Sequence, residues 1–258
     1  MSRIANAFNN KKAFIAFLTA GDPDYDTSLK NFRAVIEAGA DLIEVGIPFS
    51  DPIAEGPVIQ EADIRALSSG MTTDKVFQLV KDLRKDYDIP IVFMTYANPV
   101  YHYGAEKFFN NAADAGADGI IIPDCPYEER AEFDEAAGKH GIDFISMIAP
   151  TSEDRIKTIA SQAKGFIYVV SSLGVTGVRS EITTDLDAII KLIKEATDTP
   201  AAIGFGISTP EQAASMSKKA DGVIVGSAMV RLVAKYGKEA PAKLSEYVKS
   251  IKNAVSSQ

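Results

Sequence analysis

The sequence predicts an α/β fold: one domain over residues 1–258, closed as a (β/α)8 barrel with an extra N-terminal helix and additional helices. Three observations predict it. Eight short apolar runs are each followed by a helical pattern, and repeated β-then-α units imply parallel strands joined by right-handed crossovers. The length suits a single barrel of roughly 250 residues. Three helix-to-strand junctions also share one chemistry: Glu37-Ala38-Gly39-Ala40-Asp41-Leu42-Ile43, Asp114-Ala115-Gly116-Ala117-Asp118-Gly119-Ile120 and Lys219-Ala220-Asp221-Gly222-Val223-Ile224. An open doubly wound sheet with fewer strands is the competing arrangement, and the repeated junctions favour closure. No linker, low-complexity stretch or change of composition divides the chain.

Residues 2–9 are expected to form a short amphipathic helix, with Ile4 and Phe8 on one side. Residues 13–19 read as a buried strand. Ala20-Gly21-Asp22-Pro23 then opens a helix carrying Leu29, Phe32, Val35 and Ile36 at helical spacing. Gly39 ends that helix, and a strand around Glu44 follows. Residues 59–67 and 76–83 carry two helical patterns separated at Gly70. The later strands are expected at 89–96, 119–122, 144–148, 166–170, 201–205 and 222–225. Helices are expected after them at 105–115, 128–140, 153–163, 185–197, 211–218 and 228–236, with a last one near 240–255.

Composition narrows the function classes. Hydrophobic content is 46%, enough for a large core. A net charge of −8 and the lack of any basic cluster argue against a nucleic-acid surface. The single cysteine, Cys125, excludes an intramolecular disulfide. His102 and His140 have no metal-ligand spacing, so no metal is expected. No run reaches the roughly 20 apolar residues of a membrane span. The N-terminus has no apolar core of signal-peptide length, so a cytoplasmic location is expected.

Leu42-Ile43-Glu44-Val45-Gly46-Ile47 is a strand with a carboxylate in its apolar middle. Such a charge is costly unless it is paired or used. A salt-bridged structural residue and a working acid both fit. The loop that follows adds Asp51 and Glu55 and is stiffened by Pro48, Pro52 and Pro57. Barrels carry function at the C-terminal ends of their strands. Three consecutive ends here are rich in glycine: Gly174 to Gly177, Gly204 to Gly206, and Gly226-Ser227. Glycine lets backbone N–H groups approach an oxyanion closely, and a helix N-terminus adds a favourable dipole. A phosphate site is therefore expected there.

Phe17-Leu18-Thr19-Ala20-Gly21-Asp22-Pro23, the segment from Leu42 to Pro52, and the Gly174-Val175-Thr176-Gly177, Gly204-Phe205-Gly206-Ile207 and Gly226-Ser227-Ala228 motifs together resemble the α subunits of tryptophan synthase. The resemblance covers essentially the whole chain. It implies a TIM barrel that cleaves indole-3-glycerol phosphate to indole and glyceraldehyde 3-phosphate. It implies no cofactor on this chain. It also implies a β subunit partner bearing pyridoxal phosphate, in an α2β2 assembly that passes indole through a tunnel. By the same resemblance Glu44 is the acid/base and Glu55 the acceptor of the indole N–H. Phe17, Met94, Tyr96, Phe205 and Ile224 wall the indole slot. Gly177, Phe205, Gly206, Gly226 and Ser227 hold the phosphate. Tyr168 feeds a mobile loop in which Thr176 meets the second carboxylate.

One departure falls at a catalytic place. Where the family motif reads Ala-Asp-Gly-Pro, this chain reads Ala54-Glu55-Gly56-Pro57. Glu keeps the charge and nearly the same intrinsic pKa. Its extra methylene moves the carboxylate by roughly an ångström, a displacement that can cost on the order of 10²-fold. A low kcat, raised by Glu55→Asp, is the expectation. Another phosphate-binding barrel enzyme, a lyase that works alone, and a mainly regulatory subunit are the alternatives. Asp51 and Asp124 read as loop braces, Cys125 as a packed thiol, and His102 and His140 as surface residues.

Overall fold

The computed structural model describes residues 2–171, 185–204 and 206–257. Its strands are β1 (Ala13–Thr19), β2 (Leu42–Gly46), β3 (Ile91–Met94), β4 (Gly119–Ile121), β5 (Asp143–Phe144), β6 (Ser146–Ile148), β7 (Ile167–Val170), β8 (Ala201–Gly204) and β9 (Gly222–Val225). They lie in the order β5-β4-β3-β2-β1-β9-β8-β7-β6, with every pair parallel. The fifth expected strand is two segments broken at Ile145. The first pairs with β4 and the second with β7, so the chain itself closes the ring. Strands covered on both faces need near-continuous apolar runs. All seven residues of β1 and all five of β2 are accordingly buried.

The helices are α1 (Arg3–Ala7), α2 (Tyr25–Glu37), α3 (Pro57–Ser68), α4 (Thr73–Arg84), α5 (Ala97–Tyr103), α6 (Ala105–Ala115), α7 (Ala131–Lys139), α8 (Glu153–Ser161), α9 (Leu186–Ala196), α10 (Pro210–Ser217), α11 (Ser227–Tyr236) and α12 (Ala240–Ser256). Side chains of Asp24, Thr72, Asp185 and Thr209 each accept a first-turn N–H and fix where their helices start. The extra N-terminal helix α1 covers the bottom of the barrel: Ile4 is fully buried and the Phe8 ring packs on Phe166.

Two helices depart from expectation. No helix is expected from the sequence between the strand at 89–96 and the helix at 105–115, yet α5 forms there. Pro99 sits in the first turn, where a helix needs no N–H donor. The next departure is α7, which begins at Ala131 and not at Glu128.

The three repeated junctions share one construction. Asp41, Asp118 and Asp221 each accept a backbone N–H at the start of a neighbouring strand, from Phe14, Ile91 and Ala201 respectively, at 2.8 Å. Each also meets a cation. Lys11 and Lys252 reach Asp41, Arg3 and Arg84 reach Asp118, and Lys194 reaches Asp221. The echo seen in sequence is thus a clamp at the N-terminal end of the barrel.

Candidate active site

The opposite end is built differently. β2 delivers Glu44 into the barrel in register with Phe17 of β1 and Val92 of β3. It is 1% exposed, and its Oε1 has no hydrogen-bond partner. The structure contradicts the salt-bridged reading: among the described residues, the one charge acting on Glu44 is another acid, Glu55. Burial, and then Glu55, push its pKa up to about 8. A carboxyl in that state holds a proton at neutral pH and can give it up.

Glu55 follows on the loop after β2 and is 4% exposed. The loop is fixed from several sides. The Glu55 N–H donates to the Pro52 carbonyl at 3.1 Å, and Gln60 Nε2 donates to the Glu55 carbonyl at 2.7 Å. The Ala54 N–H donates to the Tyr96 hydroxyl at 3.1 Å, and the Tyr96 ring packs on Phe49 with centroids 5.6 Å apart. Tyr96, expected in the indole slot, therefore braces the loop that carries Glu55.

Tyr168 rises from β7 and is buried. Its ring lies over Gly204, where a Cβ would stand 2.4 Å from the phenol oxygen. Burial, then Glu44, then Glu55, raise its pKa well above the ordinary value, so the hydroxyl stays un-ionised. Glu44, Glu55 and Tyr168 thus share one neighbourhood. The Phe17 ring covers Gly46 and Gly226, whose Cβ positions would fall 2.8 Å and 3.1 Å from it. Met94 and Ile224 are buried at 8% and 3% exposure on β3 and β9. A cavity of about 450 Å³ opens beside Glu55 and Met94 and is walled by Ile122, Met147 and Val170. These three were not singled out in sequence, although they occupy or adjoin strand ends as Met94 does.

The expected phosphate residues fall in two groups. Gly206 has φ +80°, a conformation that only glycine adopts freely. Gly226 caps α11 and Ser227 is its first residue, at the end where helix N–H groups lack intrahelical acceptors. Thr176, Gly177 and Phe205 lie outside the described residues. Among the minor residues, Asp124 accepts the Ala97 N–H at 2.9 Å, and Asp51 accepts the Ser50 hydroxyl within its own loop. Burial, and then Asp124, push the Cys125 thiol up to about 11, which keeps it from acting as a thiolate. Among the described residues no three metal-ligating side chains gather.

A parallel barrel with buried acids and a phenol at its strand C-terminal ends, beside an apolar cavity, defines a barrel enzyme equipped for proton transfer. The chain matches the family model for the tryptophan synthase alpha chain over residues 4–256, and it belongs to that family. The tryptophan synthase alpha chain of Lacticaseibacillus casei is 52% identical over 99% of this chain and 96% of its own length. That of Caldanaerobacter subterraneus is 47% identical over 99% and 100%. Among solved structures, Mycobacterium tuberculosis tryptophan synthase superposes with a TM-score of 0.89 at 33% identity, covering 99% of this chain and 98% of that one. The tryptophan synthase complex of Pyrococcus furiosus gives 0.87 at 39%, covering 94% and 99%.

Proposed function

We infer that this chain is the lyase subunit that cleaves indole-3-glycerol phosphate to indole and glyceraldehyde 3-phosphate in tryptophan biosynthesis. The observation that carries the reading is Glu44, a fully buried carboxyl whose pKa burial and Glu55 raise, in a chain of this family. Its protonated form gives a proton to indole C3. The bond between C3 and the glycerol carbon then breaks, and its electron pair returns to the indole ring. As the carbonyl of the aldehyde forms, the hydroxyl proton goes to the Glu44 carboxylate, which restores the acid. Glu55 accepts the indole N–H and meets the positive charge that develops on the ring. Phe17, Met94 and Ile224 wall the indole, Tyr168 bears on both acids, and Gly206, Gly226 and Ser227 hold the phosphate. The chain needs no cofactor of its own.

The partner in this reading is a β subunit carrying pyridoxal phosphate, in an α2β2 assembly. By the resemblance the partner docks on the loops over 52–57, near Tyr101 and near Pro126, and two large apolar side chains stand exposed there: Ile53 at 74% on the Glu55 loop and Tyr101 at 70% on α5. Binding there biases the active-site loops toward closure and raises turnover. The reading places the chain in the cytoplasm; no helix among the described residues is long and apolar enough to cross a membrane.

Indole release from indole-3-glycerol phosphate, measured with and without a purified β subunit alongside size-exclusion, tests the whole reading. Cleavage that the partner accelerates, together with a complex, is the expected result. Cleavage without a complex would identify a lyase that works alone. No cleavage under either condition would overturn the assignment.

A further inference from the structure

Ala20-Gly21-Asp22-Pro23 follows β1, and in sequence its acid reads as the opening of α2. The structure gives that task to Asp24, whose side chain accepts the Thr27 N–H. Asp22 is buried instead, at 3% exposure. Unlike Glu44, it has a cation. The Arg65 guanidinium on α3 donates two hydrogen bonds to it, from Nε to Oδ1 at 2.7 Å and from Nη2 to Oδ2 at 2.8 Å. Burial pushes the Asp22 carboxyl up, and the Arg65 bonds oppose that rise. Desolvation offsets much of the attraction in such a pair, so its net gift to stability is small. What two parallel bonds fix well is orientation and distance.

The same turn receives the residues that follow α3. The Ser69 hydroxyl reaches the Gly21 carbonyl at 3.4 Å, and a Cβ on Gly21 would stand 2.6 Å from the Met71 side chain. The far end of α3 is thus seated on the turn after β1. Its near end begins at Pro57, with Gly56 as the cap and Glu55 immediately before it. Arg65 lies about two helical turns beyond that start. The Tyr96 bond holds the Glu55 loop to the end of β3, while the Asp22–Arg65 pair holds it, through α3, to β1. β1 also carries Phe17, a wall of the indole slot. The pair therefore links the two sides of the slot. We propose that Asp22 and Arg65 are positioning residues for the lyase step: their paired bonds set the distance between the Phe17 wall and the Glu55 carboxylate. The proposal rests on the reading of Glu55 given above. Misplacing a group by about an ångström can cost on the order of 10²-fold when it must meet a developing charge.

The test, in the full chain, separates geometry from stability. Arg65→Met leaves Asp22 as a buried acid without its cation and should lower both the melting temperature and kcat. Asp22→Leu combined with Arg65→Met replaces the pair by apolar side chains and should recover the melting temperature. It should not recover kcat, which stays about tenfold below the parent chain with KM within about twofold. In a Glu55→Ala background the same double substitution should change kcat by less than about twofold, because the group it positions is gone. A kcat that recovers along with stability would overturn the proposal. So would a loss that appears in KM and not in kcat, or an undiminished loss in the Glu55→Ala background. If the double variant fails to fold, Asp22→Asn, which has the same shape without the charge, takes its place in both backgrounds with the same kcat and KM expected. Absence of cleavage by the parent chain would overturn the functional reading itself and the positioning role with it.

Discussion

The two ends of this barrel use carboxylates in opposite ways. At the N-terminal end Asp41, Asp118 and Asp221 each accept a strand N–H and face a lysine or arginine. At the C-terminal end Glu44, Glu55 and Asp63 are buried more completely, and among the described residues no cation acts on Glu44 or Asp63, which are pushed upward instead. A carboxylate with a backbone donor and a cation on it stabilises the fold. A desolvated carboxyl without a counter-charge gives up stability and in return can hold and release a proton. The difference comes from neighbours, for of the six only Glu44 stands out in the sequence itself.

The largest effect should come from the upper end. Glu44→Gln is isosteric and cannot shuttle a proton, so kcat for indole release should fall about 10³-fold while circular dichroism stays unchanged. Near-normal turnover would erase the functional half of the comparison. At the lower end, Asp118→Ala leaves Arg84 and the Ile91 N–H without their partner in a nearly buried place. The loss should be about 3 kcal/mol in urea unfolding, with kcat of the folded protein unchanged. A fall in kcat at unchanged stability would mean that the two ends are not separate in function.

Gly206→Val sharpens the comparison at the anion site. A β-branched residue at φ +80° is strained, and its side chain crowds an approaching phosphate. KM for the phosphorylated substrate should rise by more than about tenfold, the scale of losing charge-assisted hydrogen bonds. An unchanged KM would move the phosphate elsewhere. The smallest effect concerns Glu55. Sequence alone suggests that its longer arm is misplaced and that Glu55→Asp raises kcat. The bonds from Ala54 to Tyr96, from the Glu55 N–H to Pro52 and from Gln60 to the Glu55 carbonyl reverse that expectation, because the loop is fixed and cannot follow a shorter side chain. Glu55→Asp should lower kcat by about tenfold or less, with KM little changed. A rise would mean that the loop is not fitted to the longer acid.

The sequence by itself determined the alternation of strands and helices, the closure of the barrel and the identity of Glu44 as an odd residue. Each of these is local: hydrophobic period, turn chemistry and one polar residue in an apolar run are visible within a few positions of the chain. The repeated Ala-Asp junctions were visible in the same way, although their clamping role was not. Only the tertiary structure decided that strand five breaks at Ile145, that Pro99 opens α5, and that Tyr96 braces a loop. It alone brought the charge of Glu55 to bear on Asp63, eight positions along the chain on the buried face of α3. Such assignments depend on which groups meet through space. Burial and neighbouring charge act through distance and desolvation, and neither is encoded at the residue they change.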